Sequence, residues 1–150
     1  ALMFESLDSA LGRGAEVMAV ISAVAEAQEP RLAGGRRDGA GLARAAAQCL
    51  ARAGIDAADI GAVVAAGSWT AAAQQAERSA LAAVFGTEVP PVHSVVEQTG
   101  FLPAAGPLLH ICAAVSLLRA ENAIRHVLVM GSDITGPHAA LVISRPPAAH

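Results

Sequence analysis

The residues that could do chemistry in this chain are few: 2 cysteines, 5 histidines and 13 acidic side chains in 150 residues. Cys49 and Cys112 each fall inside an apolar stretch with helical spacing, where a thiol is by default a small buried hydrophobe. Neither has the surroundings of a nucleophile. His93 and His138 lie on or beside predicted strands, with no cysteine or carboxylate at the spacing that closes a metal site, so no metal is expected. His110 falls in the middle of an apolar helical run and reads as a satisfied interface histidine rather than a ligand. Glu97 and Gln98 could polarise a carbonyl, but a loop pair capping the next turn accounts for them better. Asp133 and Thr135 share a turn whose backbone amides could form an anion-binding nest. Arg31, Arg36 and Arg37 make the one dense basic spot, among Pro30, Gly34, Gly35, Asp38 and Gly39, and read as a solvated loop rather than a phosphate contact. No Gly-x-Gly-x-x-Gly follows a strand, which removes a dinucleotide site, and no cofactor is expected.

The elements that must position these residues alternate strand with helix, the pattern of a mainly parallel sheet. A short apolar edge strand at 1–5 leads to a helix over 6–11, and the run 17–25 reads as a strand. Leu42, Ala46, Cys49 and Leu50 recur at helical spacing within 41–53, and Gly54 is a good stop. Residues 62–66 form a second buried strand, 70–85 a helix closed by Gly86, and 91–96 a third strand. The helix over 103–120 is apolar nearly all round between Leu108 and Leu118, so it must be covered on both sides. Strands at 126–130 and 139–144 are joined by a turn at 131–137 suited to an antiparallel return. Residues 146–150 read as a frayed tail.

Composition narrows the function classes. The chain is 54% hydrophobic and 15% charged, more apolar than a solitary small domain normally hides, which predicts a face buried against another chain. A net charge of −3 with 3% aromatic residues argues against a nucleic-acid surface. No stretch approaches the roughly 20 apolar residues that span a bilayer, and no basic segment precedes an apolar signal core. A cytoplasmic protein without membrane insertion is expected.

Several of these segments together resemble the C-terminal half of a β-ketoacyl synthase. In that family one strand ends as His-Gly-Thr-x-Thr and a later segment reads Lys-x-x-x-Gly-His. Here the first is Ala66-Gly67-Ser68-Trp69-Thr70 and the second Val96-Glu97-Gln98-Thr99-Gly100-Phe101. Segments 53–60, 77–86 and 99–118 follow the family without gaps, and Arg13-Gly14-Ala15 before the strand at Val17 also fits. Two departures stand out. Only Arg119 to Arg125 separate the long helix from the last strands, where the family carries an insertion. The family's terminal Gly-Phe-Gly-Gly is replaced by Asp133-Ile134-Thr135-Gly136.

The resemblance implies an α/β fold, the C-terminal half of a thiolase-like five-layer αβαβα arrangement with a mainly parallel sheet and an antiparallel last strand. Residues 1–15 would link to a missing half, 16–145 would form the half domain, and 146–150 the tail. It also implies that both family histidine positions are apolar, at Ala66 and Phe101, so neither can donate a hydrogen bond to a substrate carbonyl. No catalytic residue is therefore expected. Trp69, Phe101 and Ile134 are the candidates for lining an acyl cavity, and Glu77 matches a family glutamate that anchors nearby backbone. Loss of the first histidine is similar to the chain-length-factor branch, inactive subunits that pair with an active ketosynthase. The implied partners are that ketosynthase or an N-terminal half chain and, transiently, an acyl carrier protein. Two alternatives stay open: half of a split condensing enzyme whose nucleophilic cysteine is on another chain, and a purely structural stabilising subunit.

Overall fold

Short polar residues open the first and third helices, and glycines close the second, third and fourth. The computed structural model describes residues 2–29, 38–67, 70–100, 102, 105–133 and 135–147. The Ser6 hydroxyl accepts the Ser9 amide at 3.2 Å and starts α1 (Leu7–Gly12), and Thr70 accepts the Ala73 amide at 3.2 Å to start α3 (Ala71–Phe85), each satisfying an amide that the first turn cannot. Gly54, at φ +65°, ends α2 (Ala40–Ala53), a left-handed position that glycine adopts without a Cβ penalty. The Arg145 side chain closes α5 (Gly106–Ala120) from outside, donating to the carbonyls of Leu118, Glu121 and Ile124.

Between the helices run β1 (Val20–Gln28), β2 (Ile60–Val64), β3 (Val92–His93), β4 (His126–Ser132) and β5 (Pro137–Ser144), with α4 (Val96–Thr99) after β3. They form one five-stranded sheet in the order β1-β5-β4-β2-β3. β5 is antiparallel to both β1 and β4, while β4, β2 and β3 pair in parallel. Four strands therefore share one direction and the last runs against them, as the resemblance implied.

The sheet separates two cores. Leu42, Ala46, Cys49, Ala80 and Leu81 of α2 and α3 pack on Leu128, Met130 and Val142. Ala114 and Leu118 of α5 pack on Ala62, Val64, Val127, Val129 and Ile143 on the other face. The three central strands are thus buried on both sides and are apolar in both alternating positions. α5 buries His110, Ala114 and Leu118 towards the sheet, whereas Leu108 stays 49% exposed. Among the described residues, no helix is long and apolar enough to cross a membrane.

Three boundaries differ from the sequence reading. No strand forms over residues 2–6; Glu5 there is bound instead by the Arg13 guanidinium, with Nε at 3.1 Å, and by the Ser9 hydroxyl at 3.0 Å, while Met3 is 80% exposed. The strand expected at 17–25 begins and ends three residues later, because its pairing register with β5 runs from Val20 to Gln28. The strand expected at 91–96 stops after His93. The Ser94 hydroxyl accepts the Glu97 amide at 3.4 Å and Thr99 donates back to the Val95 carbonyl at 3.1 Å, which winds the chain into α4.

Candidate functional site

The C-terminal ends of β2 and β4 open into a cavity of about 640 Å³ bounded also by α4, the start of α5 and the β1–β5 edge. Val95, Val96, Ile111 and Leu141 supply apolar wall; His110, His138, Thr99 and Asp133 supply the polar part. Ala66 lies on the wall where β2 ends. Its amide donates to Glu77 Oε1 at 2.7 Å, and Glu77, on α3, is only 7% exposed. A buried carboxylate thereby satisfies an amide that the strand has left unpaired. Gly67 follows at φ +81°, and a Cβ there would lie 2.3 Å from Val96 Cγ2, so the turn accepts no side chain without strain and a shift of Val96.

Two imidazoles face this space from opposite elements. His110 of α5 is 5% exposed, and its Nε2 has no hydrogen-bond partner among the described residues. Burial pulls its pKa below the usual histidine value, against the smaller opposing effects of the Met130 carbonyl and the Glu77 charge, so the ring is neutral at neutral pH. His138 of β5 is 4% exposed, with Nε2 3.2 Å from Glu29 Oε2. Glu29, at the end of β1, accepts the Asp38 amide at 3.0 Å, the Gly39 amide at 3.4 Å and the Gly41 amide at 2.9 Å. Its carboxylate thus caps the N-terminus of α2, where negative charge is favoured. Gly41 permits this: a Cβ there would come within 2.6 Å of both the Glu29 Cβ and the His138 ring.

Other sequence candidates fall elsewhere. Cys49 is buried in the α2 core, its Sγ 3.4 Å from the Ala23 carbonyl, and burial pushes its thiol pKa up, the opposite of an activated nucleophile. Cys112 is half-buried on α5. Glu97 and Gln98 lie exposed on α4. The turn containing Asp133 and Thr135 is not an open anion nest: the Thr135 amide donates to Asp133 Oδ1 at 2.7 Å and the Gly136 amide to the Asp133 carbonyl at 3.2 Å. Trp69, Phe101, Ile134 and the Arg31, Arg36 and Arg37 spot lie outside the described residues. Glu29 was missed by the sequence reading. A lone acidic residue before a proline and a glycine-rich run looks like solvated loop, and no local spacing links it to His138.

His110 is joined by His126, which binds the Ser144 hydroxyl at 2.8 Å and whose pKa burial also lowers. For a histidine depressed in the fold, the unfolded chain binds the extra proton, so stability is complete above about pH 6.5 and declines as pH falls below it. Urea midpoints of the intact protein are therefore expected to hold between pH 8 and 7 and to drop from pH 6.5 to 5.5. Midpoints that rise on acidification would contradict this. A His126→Asn variant should flatten part of the slope.

The site can hydrogen-bond an oxygen of a bound molecule, but no thiol among the described residues reaches it. Residues 18–128 match the family model described as beta-ketoacyl synthase, C-terminal domain. A curated Streptomyces violaceoruber protein named "Granaticin polyketide putative beta-ketoacyl synthase 2" is 38% identical over 118 residues, covering 79% of this chain and 28% of that protein. The ishigamide ketosynthase/chain length factor superposes with a TM-score of 0.87 at 22% identity over 95% of this chain and 42% of its own. A type II polyketide acyl-carrier protein in complex with its ketosynthase bound to the hexaketide gives 0.83 at 22% identity, with the same coverages of 95% and 42%. This chain thus spans well under half the length of each of these proteins. The match over residues 18–128, together with the sheet order and the cavity at its strand ends, establishes that the chain belongs to the β-ketoacyl synthase family as its C-terminal domain.

Proposed function

We propose that this chain is the C-terminal half of a catalytically inactive, chain-length-factor-type subunit that pairs with an active β-ketoacyl-ACP synthase and completes an acyl cavity in polyketide or related chain elongation. The observation that carries this is Ala66, a methyl group on the cavity wall at the end of β2, where the family places a carbonyl-binding imidazole. The cavity persists although that chemistry is gone. Glu77 serves as a structural anchor in this reading, since its contact is to the Ala66 amide. In this reading the family resemblance assigns Trp69, Phe101 and Ile134 to the acyl space, and an acyl carrier protein delivers the chain.

Product length tests the reading in the assembled complex. Close-packed walls resist an added methylene by about 1–3 kcal/mol, so Phe101→Ala or Trp69→Ala is expected to lengthen or broaden the product distribution with the partner's nucleophile untouched. Unchanged lengths with intact assembly would favour a purely structural subunit. Condensation by Ala66→His/Phe101→His without the partner would overturn inactivity.

A further inference from the structure

We propose that Arg44 and Arg52 hold the open edge of β1 shut against a second copy of this chain, so that the sheet ends at β1 instead of running on into the β1 of another molecule. Both arginines project from α2 and donate to β1 backbone carbonyls, Arg44 Nη2 to Gln28 at 2.8 Å and Arg52 Nη1 to Val24 at 2.7 Å.

The sheet order leaves β1 and β3 as its two edges. β3 has 2 residues, too few to template another strand, whereas β1 has 9. In an antiparallel ladder, successive residues turn their amide and carbonyl alternately towards the partner strand and away from it. The Glu29 amide donates to the Gly136 carbonyl on the β5 side, so the backbone groups of Val24, Glu26 and Gln28 point away from β5, into the open edge. The carbonyls taken by the two arginines are thus ones that a further strand would use. Val24 and Ile21 are 45% and 39% exposed on the same strand, which adds the apolar side chains that favour strand-to-strand association.

The two periodicities match. From Arg44 to Arg52 a helix rises about 12 Å, and from Val24 to Gln28 a strand rises about 13 Å. With α2 running opposite to β1, each arginine therefore meets its own carbonyl. Both side chains are exposed, so they charge the edge as well as occupy it. If two copies paired antiparallel about Glu26, Gln28 of one would lie opposite Val24 of the other. Arg44 of one copy would then meet Arg52 of the next, like charge against like.

The test is sedimentation velocity over a range of concentrations, with amide hydrogen exchange, on the intact protein together with any chain that co-purifies with it. Relative to the parent, Arg44→Ala/Arg52→Ala is expected to strengthen self-association about tenfold, the worth of one hydrogen bond. Exchange of the Val24, Glu26 and Gln28 amides should slow as association sets in. Arg44→Lys/Arg52→Lys keeps the charges without the planar fork and should fall between the two. Adding Val24→Lys to the alanine pair puts a charge back on an exposed edge position and should return the parent behaviour. If the alanine pair does not fold, the lysine pair carries the same comparison. Unchanged association, or association that leaves those three amides exchanging as fast as in the parent, would overturn the proposal. So would a fall in melting temperature without association, which would make the arginines only a tie between α2 and β1.

Discussion

Gly39→Ala is expected to destabilise the fold by about 2–5 kcal/mol, combining the strain of a side chain at positive φ with overpacking. Gly39 sits at φ +88° just before α2, and an added Cβ would lie 2.0 Å from the Ala76 carbonyl oxygen and 3.3 Å from the Ala80 amide nitrogen. Both atoms are α3 backbone, so no rotamer change relieves the collision and the two helices must separate. Gly54→Ala isolates the conformational part. Gly54 has φ +65° and nothing within 4 Å of the added carbon, so its cost should be only about 1–2 kcal/mol. Urea unfolding of both variants with unchanged m-values would measure the difference. Equal losses would show that the α2–α3 contact yields more readily than the geometry indicates.

Glu29→Ala should cost about 2–6 kcal/mol, from leaving the buried Gly39 and Gly41 amides without an acceptor at about 1–3 kcal/mol each. Glu29→Gln keeps one acceptor oxygen and should lose less. Because Glu29 also meets His138, the alanine variant should disturb the cavity wall as well as α2. Thermal unfolding gives the first effect, and the His138 ring resonances give the second. A Glu29→Ala variant within 0.5 kcal/mol of the parent, the range of ordinary surface changes, would refute the capping role.

Most of the architecture was readable from pattern. Leu42, Ala46, Cys49 and Leu50 announce the buried face of α2 by their spacing alone, and all four are buried. The apolar runs at β2 and β4 match strands covered on both sides. The parts that misled are those decided by local side-chain bonds rather than by apolar period. Val92 to Val96 is β-branched enough to read as a strand, yet the Ser94 and Thr99 hydroxyls bend it into α4. Residues 2–4 carry apolar side chains but pair with no strand among the described residues.

The candidate site was legible only by difference. Ala66 stands out because the family expects a histidine there, and nothing in its own chemistry marks it. His110 reads as a satisfied interface histidine because its neighbours are apolar, and it is buried; that its Nε2 has no partner among the described residues is a fact of three dimensions. The Glu29–His138 contact joins two ends of the chain, so no window along the sequence could contain it.

That same closure sets an order of events during synthesis. β5 lies between β1 and β4, so the strand of this sheet that is synthesised last is one that must be inserted between two others. Until it arrives, β1 has no partner strand in this sheet. Pairing at such long sequence separation is slow and leaves strand edges exposed meanwhile. For this domain, completion of the sheet waits on its last strand.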